Sequence, residues 1–177
     1  TIGTILGWTD TFFLGYYLNA SNVGLYNAAL PIALLILIPF NSFGSLSLPS
    51  LNEIKDDKKG TSKTLKTLTR WTLIATAPLV AILFIFSKPT ITLLFGSQYI
   101  EGSTAVMILS IGYFYSSATG HLNAVIQSIS RNKILLKNNI ANLILNIILN
   151  ILLIPRFGIV GAAIATTVSL IFVNSLL

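Results

Sequence analysis

The sequence predicts an all-α fold, a polytopic membrane helix bundle with six transmembrane helices. Of the 177 residues, 54% are apolar and 9% are charged, and the mean hydropathy of +0.82 exceeds that of a soluble globular domain. A helix needs about 20 mostly apolar residues to cross the hydrocarbon core of a bilayer, so apolar stretches of this length predict spans. The stretches are continuous, whereas the strands of a membrane barrel alternate over about 10 residues.

Polar or charged connections separate the predicted spans. The spans run from Thr1 to Leu18, Leu25 to Leu48, Trp71 to Ser87, Ser103 to Ser128, Ile134 to Ile154 and Ile159 to Leu177. The first span begins without flanking charges and the last ends without a tail, so we expect the chain to be a fragment of a longer protein. No basic region precedes the first apolar run, so the sequence shows no signal-peptide pattern.

The basic residues divide unequally between the two sides of this bundle. Lys88 and Arg156 fall on one side, and the other side holds Lys55, Lys58, Lys59, Lys63, Lys66, Arg70, Arg131, Lys133 and Lys137. By the positive-inside rule we expect a multi-pass protein of the cell membrane with both ends of this segment in the cytoplasm. The net charge of +6 then indicates contact with anionic membrane lipids, and no nucleic-acid partner is expected.

The first span contains Asp10, the only charged residue before Glu53. At 100° per residue, Asp10 lies on the flank of a strip of small residues, close in direction to Tyr17. The strip consists of Gly3, Gly7, Thr11 and Gly15. An acid in the middle of a bilayer costs about 2.5 to 3.5 kcal/mol, so we expect Asp10 to face the bundle interior. Two interpretations stay open: a structural hydrogen-bonding residue, or a group in a hydrated cavity or ion pathway.

The second span contains Pro31 and Pro39 and ends in the polar run NSFGSLSLPS. Each proline removes a helical hydrogen bond and bends the helix. Broken helices often line the substrate path of transporters, although prolines are also common in membrane helices generally. The pattern therefore predicts a bent second helix without deciding its role.

The fourth and fifth spans contain the remaining unusual polar residues. His121 is the single histidine, and it is either a packed, hydrogen-bonded residue or a group that takes up protons. The fifth span has a row of asparagines four residues apart that indicates interhelical hydrogen bonds, a polar lumen wall, or both; the row is Asn138, Asn142, Asn146 and Asn150. No cysteine or second histidine completes a set of ligands, so we expect no metal and no cofactor.

The sixth span begins with small residues one helical turn apart, namely Gly158, Gly161, Ala162 and Ala165. Small residues at this spacing let two membrane helices approach closely. We therefore expect the sixth span to pack tightly against a neighbouring helix.

An ordered set of short motifs resembles the C-terminal half of a polysaccharide flippase. The set is D-T-F-F-L-G, V-G-L-Y, L-L-F-G-S-Q-Y, A-V-I-Q-S-I-S-R-N-K and I-P-R-F-G-I-V-G-A-A-I-A-T. It is similar to the Wzx-like transporters of the multidrug, oligosaccharidyl-lipid and polysaccharide exporter superfamily. Since family members have two lobes, the resemblance implies that residues 1–177 form the C-terminal six-helix lobe and that the missing N-terminal lobe is its partner.

The resemblance also implies a function. The lobe would take part in cell-surface polysaccharide biosynthesis by helping to move a polyprenyl-pyrophosphate-linked oligosaccharide from the cytoplasmic to the outer leaflet by alternating access. Arg70 is then the nearest cationic candidate for the pyrophosphate. The groups expected to line the substrate or ion pathway are Asp10, Tyr17, Arg70, His121, Asn142 and Asn146.

Three other functions make different demands on the sequence. A cation-coupled multidrug exporter would use Asp10 as its coupling acid. A membrane enzyme would need acids or bases clustered on one face, and the sequence has no such cluster, so we do not expect an enzyme. For a non-transporting membrane assembly subunit, neutralisation of Asp10 would cause no measurable change in transport.

Overall fold

A computed structural model describes residues 2–44, 58–128 and 132–176, and the regular elements within these ranges are all helices. They are α1 (Ile2–Tyr17), α2 (Ala20–Leu34), α3 (Leu37–Gly44), α4 (Lys58–Ile85), α5 (Ser87–Phe95), a 3-10 helix (Ser97–Gly102), α6 (Ser103–Thr119), α7 (His121–Ser128) and α8 (Asn132–Ser175). The predicted all-α membrane bundle is thus confirmed. Lys55, Arg131 and the end of the polar run after α3 lie outside the described residues.

Large apolar side chains cover the outside of this bundle, among them Leu93, Ile85 and Leu152. Such a surface is unfavourable in water and suits a lipid solvent. Among the described helices, Lys59–Ile85 and Lys133–Ser175 are long and apolar enough to cross a membrane, and the bent pair Ala20–Leu34 and Leu37–Gly44 makes a third candidate. α1 and α6, with 16 and 17 residues, are shorter than the about 20 residues of a typical span. The count of six spans therefore stays a prediction.

The connection between the first two helices is shorter than the sequence analysis predicts. The predicted second span starts at Leu25, whereas α2 starts at Ala20, directly after Asn19. The Asn19 side chain caps this helix by accepting a hydrogen bond of 3.0 Å from the backbone N–H of Asn22. A side-chain cap that satisfies an exposed N–H lets the helix begin among polar residues, which hydropathy alone does not detect.

The predicted bend in the second span is present between α2 and α3. The two helices differ in direction by 47° across a break at Leu35 and Ile36. Pro39 is the third residue of α3, a first-turn position where its missing N–H costs no helical hydrogen bond. Proline at this position is compatible with the start of a new helix and not with the continuation of the old one.

α4 begins at Lys58, well before the predicted span start at Trp71. Charge density marks the level at which a helix leaves the apolar layer, not the residue at which it starts. Since lysine, leucine and arginine are good helix formers, the basic segment continues the helix out of the membrane. The basic residues from Lys58 to Arg70, which the sequence places in a connection between two predicted spans, thus lie on a helix.

The predicted fourth span is divided at Gly120 into α6 and α7. A Cβ at Gly120 would lie 2.7 Å from the ring of Phe40, so the break is closely packed against α3. The hydroxyls of Ser117 and Thr119 donate to carbonyls of the preceding turn. Such side-chain hydrogen bonds compete with the helical ladder near this break.

α8 is a hairpin of two helices and not one straight rod. Gly158 has a φ of +59°, a conformation that favours glycine. The amide nitrogen of Asn146 and the hydroxyl of Thr166 are 20 residues apart in the chain and 3.2 Å apart in space, whereas a straight helix would separate them by about 30 Å. The N-terminal arm (residues 132–157) and the C-terminal arm (residues 159–175) correspond to the fifth and sixth predicted spans.

Close packing of the two arms depends on Gly161. A Cβ there would lie 2.4 Å from the carbonyl oxygen of Leu153, and Ala162 and Ala165 are fully buried. The predicted close approach is therefore confirmed at Gly161, where the neighbouring helix is the N-terminal arm of the same hairpin. Gly158, predicted to belong to the same packed strip, is instead the turn residue between the arms.

α6 lies centrally and packs against α8, α4 and α2, while α1 packs against α8 and α2. Gly112 lets α6 approach the C-terminal arm, where the Thr167 hydroxyl donates to the Ile108 carbonyl at 2.9 Å. The fully buried side chains of this core include Leu14, Ile32, Leu109 and Ile154. One apolar core thus holds α1, α2 and the α8 hairpin in fixed positions around Asp10.

Candidate functional site

Asp10 lies on the buried face of α1. Only 2% of its surface is exposed, and Leu14, one turn further on, is fully buried. On the opposite face, Trp8, Phe12 and Tyr16 are exposed. The orientation of α1 therefore directs its one carboxylate into the protein and its aromatic side chains outward.

The carboxylate of Asp10 accepts hydrogen bonds from four side chains. The hydroxyl of Tyr26 donates to Oδ2 at 2.7 Å, and the hydroxyl of Thr166 donates to the same oxygen. The amides of Asn150 and Asn146 donate to Oδ1 at 2.7 and 3.1 Å. These donors come from α2 and from both arms of α8, so one carboxylate joins four helical segments.

The donor set satisfies the hydrogen-bonding needs of an ionised carboxylate, which accepts hydrogen bonds and donates none. Two of the donors, Tyr26 and Thr166, are hydroxyls that can also accept after rotation of the O–H bond. Both act on Oδ2. The same heavy-atom arrangement can therefore hold Asp10 charged or protonated, with the proton on Oδ2.

The asparagine row predicted on the fifth span faces this carboxylate. Asn142, Asn146 and Asn150 are all buried on the N-terminal arm, and the amide of Asn150 also donates to the side-chain oxygen of Asn146 at 3.0 Å. The side-chain oxygens of Asn142 and Asn150 have no hydrogen-bond partner among the described residues. The asparagine row thus forms interhelical hydrogen bonds, and two of its side-chain oxygens accept no hydrogen bond from the described residues.

A cavity of about 300 Å³ borders the carboxylate. Its polar lining comes from Asp10, Tyr113, Ser116, Asn142, Asn146, Thr166 and Ser169, and its apolar lining includes Leu30, Leu34 and Leu37, which flank the break between α2 and α3. Since the cavity has room for water and several polar side chains in its lining, ordered water can lie beside Asp10.

The other predicted pathway residues lie away from this cavity. Tyr17 is 38% exposed and stacks on Phe13 with ring centroids 6.2 Å apart. Arg70 lines a separate groove on α4. His121 is buried, with Nε2 2.7 Å from the Thr72 hydroxyl and its ring 4.9 Å from that of Phe40. The pathway role of these three residues stays a prediction.

Sequence reasoning missed several side chains of the site. The tyrosine that contacts Asp10 is Tyr26 on α2, and the hydroxyl from the C-terminal arm is that of Thr166. Tyr26 belongs to the V-G-L-Y motif, and its spacing of 16 residues from Asp10 is compatible with an antiparallel helix pair. Thr166 is the last residue of the I-P-R-F-G-I-V-G-A-A-I-A-T motif, but hydroxyl residues are common throughout this chain, so the sequence does not single it out as a partner of Asp10.

Among the residues that the structure describes, no three histidine, cysteine, aspartate or glutamate side chains come together in a group that could hold a metal ion. Asp10 is surrounded by neutral amides and hydroxyls. The chemistry available here is hydrogen bonding and a change of charge on one carboxylate.

The first 104 residues match the family model of a polysaccharide biosynthesis protein. The chain is 32% identical over 165 residues to an uncharacterized membrane protein of Methanocaldococcus jannaschii, covering 92% of this chain and 32% of the relative. It is 26% identical to a Shigella flexneri protein named as a putative O-antigen transporter, covering 96% of this chain and 41% of the relative.

A Haloferax volcanii protein named as a probable low-salt glycan biosynthesis flippase is 25% identical, over 94% of this chain and 36% of the relative. This chain therefore spans about a third to two fifths of the length of these relatives. No solved structure shows a significant match to the chain.

Proposed function

This chain belongs to the polysaccharide biosynthesis protein family, and from that premise we propose that it is the C-terminal lobe of a membrane flippase. The protein would move a polyprenyl-pyrophosphate-linked oligosaccharide from the cytoplasmic to the outer leaflet by alternating access. The names of relatives from Shigella flexneri and Haloferax volcanii support a transporter and not an enzyme. A second lobe of the same protein would complete the path.

The observation that carries this proposal is the buried carboxylate of Asp10, hydrogen-bonded to α2 and both arms of α8 beside a cavity. Ionisable groups inside membrane segments are costly and usually mark an ion or proton path. A purely structural task would be performed by a neutral amide at lower cost. The burial of Asp10 therefore supports a role in coupling.

The cavity is too small to be the glycan path itself. At about 300 Å³ it is at the lower limit of small-molecule sites, which range from about 300 to 1,000 Å³. Both oxygens of the carboxylate also already accept two hydrogen bonds each from the protein. Asp10 is thus better suited to sense a proton or cation than to bind sugar hydroxyls.

A change of charge on Asp10 would act on the helices that it joins. With Asp10 ionised, four donors hold α1, α2 and both arms of α8 together. Neutralisation weakens each charge-assisted hydrogen bond, since these are roughly twice as strong as neutral ones. The two arms could then separate from α1, which gives the lobe two states of different stability.

The Asp10→Asn variant tests this proposal, because it keeps the shape of the side chain and removes its charge. The new amide can place its NH₂ group beside Tyr26 and Thr166, whose hydroxyls can accept. We expect near-normal membrane yield and export of the lipid-linked glycan reduced about tenfold or more, with partial export by Asp10→Glu. Export would be measured by complementation in cells that lack the intact protein.

Two alternatives make different predictions in the same cells. A cation-coupled multidrug exporter would lose efflux of cationic dyes in the Asp10→Asn variant while the glycan is unaffected. An assembly subunit would support wild-type glycan display by the Asp10→Asn variant at normal expression, and this result would exclude a coupling role for the charge.

A further inference from the structure

The bend after α2 and the break after α6 lie at the same end of the bundle. α2 and α6 both begin at the end that holds the 3-10 helix, since a Cβ at Gly102 would lie 2.9 Å from the carbonyl oxygen of Leu25. α3 and the start of α7 therefore lie at the other end. His121, the first residue of α7, contacts Thr72 there, two residues after Arg70 on α4. We call this the basic end of the bundle, because α4 carries its basic residues there.

Phe40 on α3 makes the contact between the bend and the break. The centroid of its ring lies 4.9 Å from that of the His121 ring. A Cβ at Gly120 would lie 2.7 Å from the same ring, whereas the φ of Gly120 is an ordinary −62°. Close approach of the ring, and not backbone conformation, is thus what requires glycine at this position.

This contact lies one helical turn beyond the cavity at Asp10. Leu37 and Ser116 belong to the lining of that cavity. Phe40 follows Leu37 by three residues and Gly120 follows Ser116 by four, so each lies about 5 Å further along its helix toward the basic end. The ring of Phe40, packed on Gly120, therefore separates the cavity from the basic end of the bundle.

The segment that joins α2 to α3 has the hydrogen bonding of a hinge. The N–H groups of Leu35 and Ile36 donate to carbonyls three residues back, at 3.2 and 3.3 Å. Pro39 has no N–H for the Leu35 carbonyl, which accepts from Ile38 at 3.1 Å instead. Such a short stretch with bonds over three residues inside a helix often marks a functional hinge.

We propose that α3 is a gate on the cavity at Asp10, which turns at Leu35 and Ile36 and is closed when Phe40 packs on Gly120. Withdrawal of the ring would let water reach the carboxylate from the basic end. The inference rests on the proposed coupling role of Asp10 and deepens it by naming the element that controls access to the carboxylate.

The cavity lining supports this motion. Leu34 and Leu37 lie on either side of the hinge, and both line the cavity. A turn of α3 therefore moves one part of the lining relative to the other and withdraws Phe40 at the same time. The motion takes place within the described bundle and does not require movement of one lobe against another.

Reaction of a cysteine at Ser116 with a charged, membrane-impermeant thiol reagent tests the gate. The intact protein carries no other cysteine, and the reagent is added on the side at which a cysteine at Gly60 reacts. We expect Phe40→Ala to raise the rate of modification at least about tenfold, because loss of a packed aromatic ring shifts the closed state toward the open one. Phe86→Ala, at an exposed phenylalanine between α4 and α5, is the matched control and should leave the rate unchanged.

A second variant displaces the ring without removing it. The Cβ in Gly120→Ala would meet the ring of Phe40, so the ring must move and the cysteine at Ser116 should again react faster. The double variant should react no faster than Phe40→Ala, since no ring is left to displace. If Phe40→Ala does not fold, the rate in Gly120→Ala decides.

Two results would overturn the gate. One is a rate in the ring variants equal to that in the parent protein. The other is a parent in which Ser116→Cys already reacts as fast as Gly60→Cys, because the cavity would then be open at this end.

Glycan export in cells distinguishes failure of the gate from failure of the proposed function. Unchanged modification in a protein that exports glycan rejects the gate and leaves the flippase proposal intact. Faster modification in both ring variants of a protein that exports no glycan even as wild type rejects the proposed function, and the gate stands.

Discussion

The amide nitrogen of Asn146 lies 3.2 Å from the hydroxyl of Thr166, and both groups donate to the carboxylate of Asp10. The two residues belong to opposite arms of α8, and Asp10 is 136 residues before Asn146 in the chain. The turn at Gly158 brings the arms together, and α1 completes the arrangement. The stability of the helix bundle therefore depends on contacts between helices that are distant in the chain.

Removal of the Tyr26 hydroxyl should destabilise the helix bundle. Tyr26→Phe keeps the buried ring and removes the 2.7 Å hydrogen bond to Asp10, which should lower the free energy of unfolding by about 1 to 3 kcal/mol, with the upper value for an ionised acceptor. Tyr17→Phe is the control, since Tyr17 is partly exposed and surface changes usually stay within about 0.5 kcal/mol. Equal denaturation curves for the two variants in detergent would contradict the assigned bond.

Addition of a methyl group at Gly161 should disrupt the hairpin. The new Cβ would lie 2.4 Å from the Leu153 carbonyl oxygen, and backbone atoms cannot move aside easily. We expect Gly161→Ala to reduce the folded yield in size-exclusion chromatography, and Gly161→Leu to reduce it further. Gly7→Ala is the matched control, because nothing lies within 4 Å of its Cβ position; a similar loss in both variants would argue against close packing of the arms.

The contact between Thr72 and His121 should stabilise the junction of α4 and α7. Thr72→Val removes the hydroxyl 2.7 Å from the buried Nε2 and should lower the free energy of unfolding by about 1 to 3 kcal/mol. Thr67→Val on the same helix removes an exposed hydroxyl that bonds its own backbone, so it should change little. If Thr72→Val melts like Thr67→Val, the histidine is not held by this hydrogen bond.

The positive-inside rule predicts which end of the bundle faces the cytoplasm. A Cβ at Gly24 would lie 4.0 Å from the ring of Tyr99, so the turn between α1 and α2 and the 3-10 helix lie at one end. Single cysteines at Asn22 and Gln98 should therefore both react with an impermeant thiol reagent from outside, and a cysteine at Gly60 should not. These 177 residues contain no native cysteine. Labelling at Gly60 from outside would reverse the predicted orientation.

Much of the fold follows from local patterns. Hydropathy predicts the membrane bundle, and the asparagine spacing predicts a polar face on the fifth span. Pro31 and Pro39 predict a bent second span; the break lies just before Pro39, whereas Pro31 lies within α2. α2 and α4 begin before the predicted spans, because a side-chain cap at Asn19 and a helical basic segment from Lys58 extend the helices beyond the apolar residues. The break at Gly120 is absent from the prediction because the ring packed against it, that of Phe40, comes from a distant helix.

The sequence by itself determined that Asp10 is a solitary acid in an apolar helix and that it must face the protein interior, because lipid cannot solvate a carboxylate. It also determined that the fifth helix has a polar row that needs partners. Only the tertiary structure decided that these two features meet, and that Tyr26 and Thr166, not Tyr17, complete the hydrogen bonds. The reason is physical: helical periodicity fixes the direction of a side chain within its own helix, whereas the neighbour it contacts depends on how the whole bundle packs.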